Sequence, residues 1–163
     1  MLVEKPDYGN VPKIQIPVTN PDVERWLLLL GQMGEAMTED EKLICRIFDG
    51  HLLRELEDAR FIIPMKMDAQ MDPPDAEGKT VIKENSTIAF ATMSGKNDRD
   101  AVMMYTDWKR LRMVYKEEDG WSGLIQPISG MIDKFDCAIN STEYIAAGCY
   151  IDKNAYETEI KKN

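Results

Sequence analysis

The sequence predicts an α+β fold: a mixed, largely antiparallel sheet of about five strands flanked by helices, with an extra N-terminal helix. Three observations predict it. Amphipathic helical patterns fill residues 20–59, short apolar runs separated by turn residues follow over 61–106, and helical and strand patterns then alternate to the end. The chain has 163 residues, 44% hydrophobic and 30% charged. That suits a single domain, 1–163, able to build its own core. Residues 1–37 are expected to form an arm and the extra helix, and 38–163 the main body.

Residues 1–18 alternate weakly through Val11, Ile14, Ile16 and Val18 and carry Pro6, Pro12 and Pro17. They read as an extended arm with at most one short edge strand, because proline lacks the donor a central strand needs. Residues 20–37 read as a helix. Asn20 is expected to cap it, Pro21 fits the first helical position, and Asp22 and Glu24 suit the positive end of the helix dipole. A second helix begins at Thr38-Glu39-Asp40-Glu41, a capping-box pattern. Leu43, Ile44, Ile47, Phe48, Leu52, Leu56 and Ala59 are read as its apolar face, and Gly50 allows a kink or a split. Phe61 to Met67 is the first strand, with Pro64 favouring an edge or a bulge.

Asp68 to Gly78, with Pro73-Pro74 and four acids, reads as a loop. Thr80–Lys83 and Thr87–Thr92 give one or two strands, Ser94–Arg99 a hairpin turn, and Asp100–Thr106 the next strand. A helix over Asp107–Tyr115 is capped by Thr106 or Asp107. Short strands are expected at Leu124–Ile128, Asp136–Asn140 and Tyr144–Ile151, with a helical turn over Ser129–Phe135. Asp152 caps a polar C-terminal helix.

Composition excludes several chemistries. Lys plus Arg is 20 and Asp plus Glu is 29, a net charge of -9. An acidic chain is a poor match for nucleic acid or an anionic membrane, and its natural partners are cationic. The longest stretch free of charge, Gly120 to Ile132, is shorter than the roughly 20 residues a membrane helix needs. A single histidine, His51, and three dispersed cysteines, Cys45, Cys137 and Cys149, predict no zinc centre and no cofactor site. The cysteines read as reduced core thiols of a cytoplasmic protein. No signal-peptide pattern, phosphate-binding glycine loop or serine elbow is present. His51 reads as an ordinary helix residue, since no nucleophile is spaced to partner it.

From about residue 40 to 160 the order of segments resembles the SseB (enhanced serine sensitivity) protein N-terminal domain family. The resemblance lies in the helix leading into Phe61-Ile62-Ile63-Pro64-Met65, the run Ile88-Ala89-Phe90-Ala91-Thr92, the strand Ala101 to Thr106 passing into Asp107-Trp108, and the late run Ala138-Ile139-Asn140. It implies a mixed sheet flanked by helices and a cytoplasmic bacterial protein. It implies no catalytic residues. The family name is a phenotype label and carries no mechanism.

The candidate interaction surface is the strand-to-helix step Tyr105, Thr106, Asp107 and Trp108, the basic stripe Lys109, Arg112 and Lys116, and Asn140 at a strand end. Strand ends are where pockets form, and a basic stripe can meet phosphate or carboxylate. The acids Asp68, Asp72, Asp75 and Glu77 lack the spacing of a calcium loop and read as solvated. These observations predict a non-enzymatic interaction or regulatory module that binds another protein, through a sheet edge or a groove lined by methionine and aromatic residues, or pairs with a second copy. One alternative is a small-molecule-binding protein or an enzyme using carboxylates such as Asp100, Asp107 or Asp133. The other is an acidic, immunity-like protein that neutralises a basic toxin.

Overall fold

Helix α1 spans Pro21–Met33 and α2 Glu39–Asp58 in a computed structural model that describes residues 18–68, 76, 87–96, 98–141 and 148–161. Proline at the first position starts α1, and Gly34, at φ 61°, ends it. Asn20 does not cap the helix with its side chain. Its amide instead donates to the carbonyls of Arg60 and Thr106, at 2.8 Å each. The capping box of α2 is present: Thr38 Oγ1 accepts from Glu41 N at 3.2 Å, and the Glu41 carboxylate accepts from Thr38 N at 3.0 Å and Met37 N at 2.8 Å. Those backbone donors, Thr38 foremost, hold the Glu41 carboxyl below the usual range. The two helices form a hairpin, with the Trp26 ring stacked on His51 at 4.6 Å and tilted against Phe48 at 5.4 Å. Helix α2 runs unbroken through Gly50.

The remaining elements are β1 Arg60–Asp68, β2 Thr87–Phe90, β3 Thr92–Ser94, β4 Asp100–Met104, α3 Trp108–Val114, β5 Ser122–Pro127, β6 Asp136–Ile139, β7 Cys149–Ile151 and α4 Lys153–Lys161. The fold is α+β, as expected. The described residues form seven strands in two sheets where the sequence suggested about five in one. The orders are β2-β1-β5 and β3-β4-β6-β7. Every pairing is antiparallel except β4 with β6, which is parallel. The arm strand expected before residue 18, the strand at 80–83, residues 144–147, and the acids Asp72, Asp75 and Glu77 lie outside the described residues.

The two sheets join at a fork. Segment 87–94 lies on β1 with its first half and on β4 with its second. At the branch, Ala91 N donates to Pro64 O at 3.0 Å, and Ala91 O accepts from Met103 N at 2.9 Å. Ile62 and Tyr105 exchange two further bonds, each 2.9 Å. Pro64 therefore sits in the central strand of its sheet and not at an edge. Ile62 and Pro64 share strand parity, so the missing proline donor falls on the fork side. The Ala91 carbonyl there is already engaged by Met103, so the missing donor leaves it satisfied.

Strand alternation builds two cores. Phe61, Ile63, Val102, Met104 and Ile139 pack with Val23, Leu27, Leu52 and Leu56 of the helical hairpin. Ile62, Ala101, Met103, Tyr105 and Ala138 pack on the other side with Leu111 of α3. The central strands are covered on both faces, which explains their continuous apolar runs.

Candidate functional site

Strands β4 and β6 run in parallel and end side by side, so the residues that follow them meet. Thr106 N donates to Asn140 Oδ1 at 3.1 Å, and Asn140 Nδ2 donates to Thr106 Oγ1 at 3.0 Å. Asn140 has φ 50°, a conformation that asparagine tolerates better than most residues. Its own N–H donates to Met104 O at 2.8 Å. Tyr105, Thr106 and Asn140 are fully buried. Burial pushes the Tyr105 hydroxyl far above its ordinary value, with Tyr115 adding to the effect. This hydroxyl has no hydrogen-bond partner among the described residues.

The rest of the set expected from sequence is arranged around α3. Asp107 caps the helix, accepting from Arg110 N at 2.7 Å. The Arg110 guanidinium pairs with the same carboxylate and reaches Glu24 of α1 at 2.9 Å. Trp108 packs close to β5: a Cβ on Gly123 would lie 2.6 Å from its ring. Arg112 lies over that ring at 5.3 Å and donates to the carbonyls of Trp121, at 2.7 Å, and Tyr115, at 3.3 Å. Lys109 and Lys116 are exposed. Thr106 and Asn140 are thus brought together inside the protein, and of the basic stripe Lys109 and Lys116 reach solvent while Arg112 is half-buried.

Among the carboxylates, Asp100 and Asp107 stand at opposite ends of β4, and Asp133 is exposed in the turns after β5. Asp136 is the buried one. Arg99 Nε approaches it at 3.2 Å, Lys153 N donates to it at 2.8 Å, and the Tyr150 hydroxyl donates to its other oxygen. Burial works to raise the carboxyl, but Tyr150, Lys153 and Arg99 together outweigh it and hold Asp136 below the usual range. Arg99 also pairs with Asp152 at 3.0 Å. The cysteines are free thiols. Burial pushes Cys137 and Cys149 each to about 12, so both stay protonated at neutral pH. Among the described residues, no three His, Cys, Asp or Glu side chains are grouped to hold a metal ion, and no helix is long and apolar enough to cross a membrane.

Two surface features were not read from sequence. The first is a groove of about 370 Å³ between α2 and α4, floored by β7. Arg46, Asp49, Gly50 and Leu53 of α2 line one wall, and Ala155, Tyr156 and Glu159 of α4 the other. Partial burial raises the Asp49 carboxyl, and the Glu159 charge raises it further. The second is the outer side of α2. Leu43, Ile44 and Ile47 are 53%, 41% and 50% exposed, and Met37, just before the helix, is 78% exposed. The apolar residues of α2 therefore do not form one face. Leu43 and Leu52 are nine positions apart in the sequence, as are Ile47 and Leu56, which at about 100° per residue puts each pair on opposite sides of a helix. That arithmetic was the available signal.

Fold and site define a small α+β protein of two forked sheets, with a helical hairpin that exposes Leu43, Ile44 and Ile47. Residues 47–126 match the family model described as SseB protein N-terminal domain, so this segment is similar to that family. The match runs from the middle of α2 to β5, so α1, β6, β7 and α4 lie beyond it. Comparison with curated proteins and with solved structures gave no match.

Proposed function

We propose that this protein is a non-enzymatic interaction module that docks another protein on the outer face of α2. The observation that carries the reading is the exposed set Leu43, Ile44 and Ile47, opposite the buried Leu52 and Leu56 on the same helix. A helix on a protein surface ordinarily turns polar residues outward. Contiguous apolar exposure beside a polar rim is characteristic of an interaction site. The chemistry of the polar groups supports the same reading: Asp136 is held by Arg99, Tyr150 and Lys153, and the thiols of Cys137 and Cys149 are protonated.

The test is affinity capture from the native lysate with wild type and with the double variant L43D/I47D. Both positions are exposed, so the variant is expected to melt within a few degrees of wild type, surface changes costing less than about 0.5 kcal/mol each. The expected result is a bound protein that disappears with the double variant. Identical capture by both proteins would refute docking at α2.

A further inference from the structure

Resting on the docking reading above, we propose that the protein docked on α2 is a second copy of this chain, the two α2 helices lying antiparallel about a two-fold axis at Ile47. Asp40, Leu43, Ile47, Gly50 and Arg54 follow one another at alternating steps of three and four residues, the seam along which two helices pack side by side. At about 100° per residue the five share one side of α2, away from Leu52 and Leu56 in the core. Asp40, Leu43, Ile47 and Arg54 are exposed. Trp26 of α1 covers the neighbouring side, at His51 and Phe48. The open seam is therefore apolar in its middle, with an acid at one end and a base at the other.

The charges select the occupant and its direction. Asp40 and Arg54 lie equally far from Ile47, on either side of it. In an antiparallel pair centred there, each Asp40 faces the second copy's Arg54, so the same contact is made twice, as two-fold symmetry requires. A parallel pair would set Asp40 against Asp40 and Arg54 against Arg54, which like charges oppose. Neither residue is in an ion pair among the described residues. Glu39, next to Asp40, is already held by Lys42 at 2.8 Å. Arg54 is drawn along its helix by the Gly50 carbonyl at 3.3 Å and His51 Nδ1 at 3.1 Å. Leu43 of each copy comes level with Gly50 of the other, which presents no side chain to obstruct it. Two chains of net charge -9 repel at long range. At physiological salt that repulsion fades over about 8 Å, which leaves the facing pairs to set the fit.

The test is sedimentation equilibrium of the full chain at physiological salt. Wild type is expected to be a dimer and L43D/I47D a monomer. D40R should weaken the dimer about tenfold, since each pair becomes a repulsion, and R54D should do the same. D40R/R54D reverses both charges and restores both pairs, so it should return to within about threefold of wild type. A chain that fails to fold after one reversal is not recovered by a second, so this return separates pairing from misfolding. A wild type that stays monomeric up to about 0.5 mM, a dimer that survives L43D/I47D, or a double reversal no tighter than D40R would each overturn the proposal. If wild type is monomeric, yet captures a lysate protein that L43D/I47D does not, the second copy is excluded and docking on α2 stands. If L43D/I47D changes neither sedimentation nor capture, both readings fall.

Discussion

Asp136 shows how one buried charge couples this fold to pH. Its carboxyl is lower in the folded protein than in the unfolded chain, despite burial, because Tyr150, Lys153 and Arg99 favour the ionised form. Such a group adds stability in full above its unfolded value, about 4, and loses it as pH falls through the lower folded value. Wild type is therefore expected to lose melting temperature on acidification below about pH 4. D136N, already destabilised at neutral pH by about 2 kcal/mol because Arg99 keeps only Asp152 as a carboxylate partner, should respond less to acid. Parallel pH profiles for the two proteins would refute the assignment. At Asn140 the backbone and the side chain can be separated. N140A should cost about 3 kcal/mol, from two lost buried bonds and the left-handed backbone. N140G, free of the backbone strain, should be milder by about 1 kcal/mol in urea denaturation. Equal losses would mean that the φ of 50° is not a constraint.

Elements respond to glycine in opposite directions here. Gly50 sits inside α2 with open space where a side chain would be. G50A should stabilise the protein by about 1 kcal/mol through helix propensity alone. Gly123 sits on β5, where a Cβ would approach Ile62 at 2.5 Å and the Trp108 ring at 2.6 Å. G123A should destabilise by about 2 kcal/mol as β5 and α3 are forced apart. Thermal melts of the two variants should move in opposite directions. Local signals were readable wherever the interaction was local. The capping box at Thr38, the cap at Asp107 and the start at Asp152 involve partners three residues away. Asn20 departs from the expected side-chain cap because its amide bonds to carbonyls 40 and 86 residues distant, which outcompete the capping geometry. The apolar positions of α2 follow one another in steps of three and four, yet the cumulative angle from Leu43 to Leu52 is half a circle, so the set spans two sides of the helix.

For the whole molecule, the fold class was legible because apolar period follows from burial, and burial from the layers. The fork was not, since it depends on Ala91 bonding to two different strands. The groove was not either: it brings α2 against β7 and α4, and α2 ends about 90 residues before β7 begins. The residues singled out from sequence at the strand ends did meet, through Thr106 and Asn140, but in the interior.

Because one short stretch, 87–94, is stitched to both sheets, neither half can open without tugging on the other. Amides of Ile62, Ala91, Met103 and Tyr105 should then exchange with deuterium as one class, governed by the same global opening. Replacing Ala91 by proline would remove the donor to Pro64 and split that class in two, leaving a protein that unzips in stages rather than all at once.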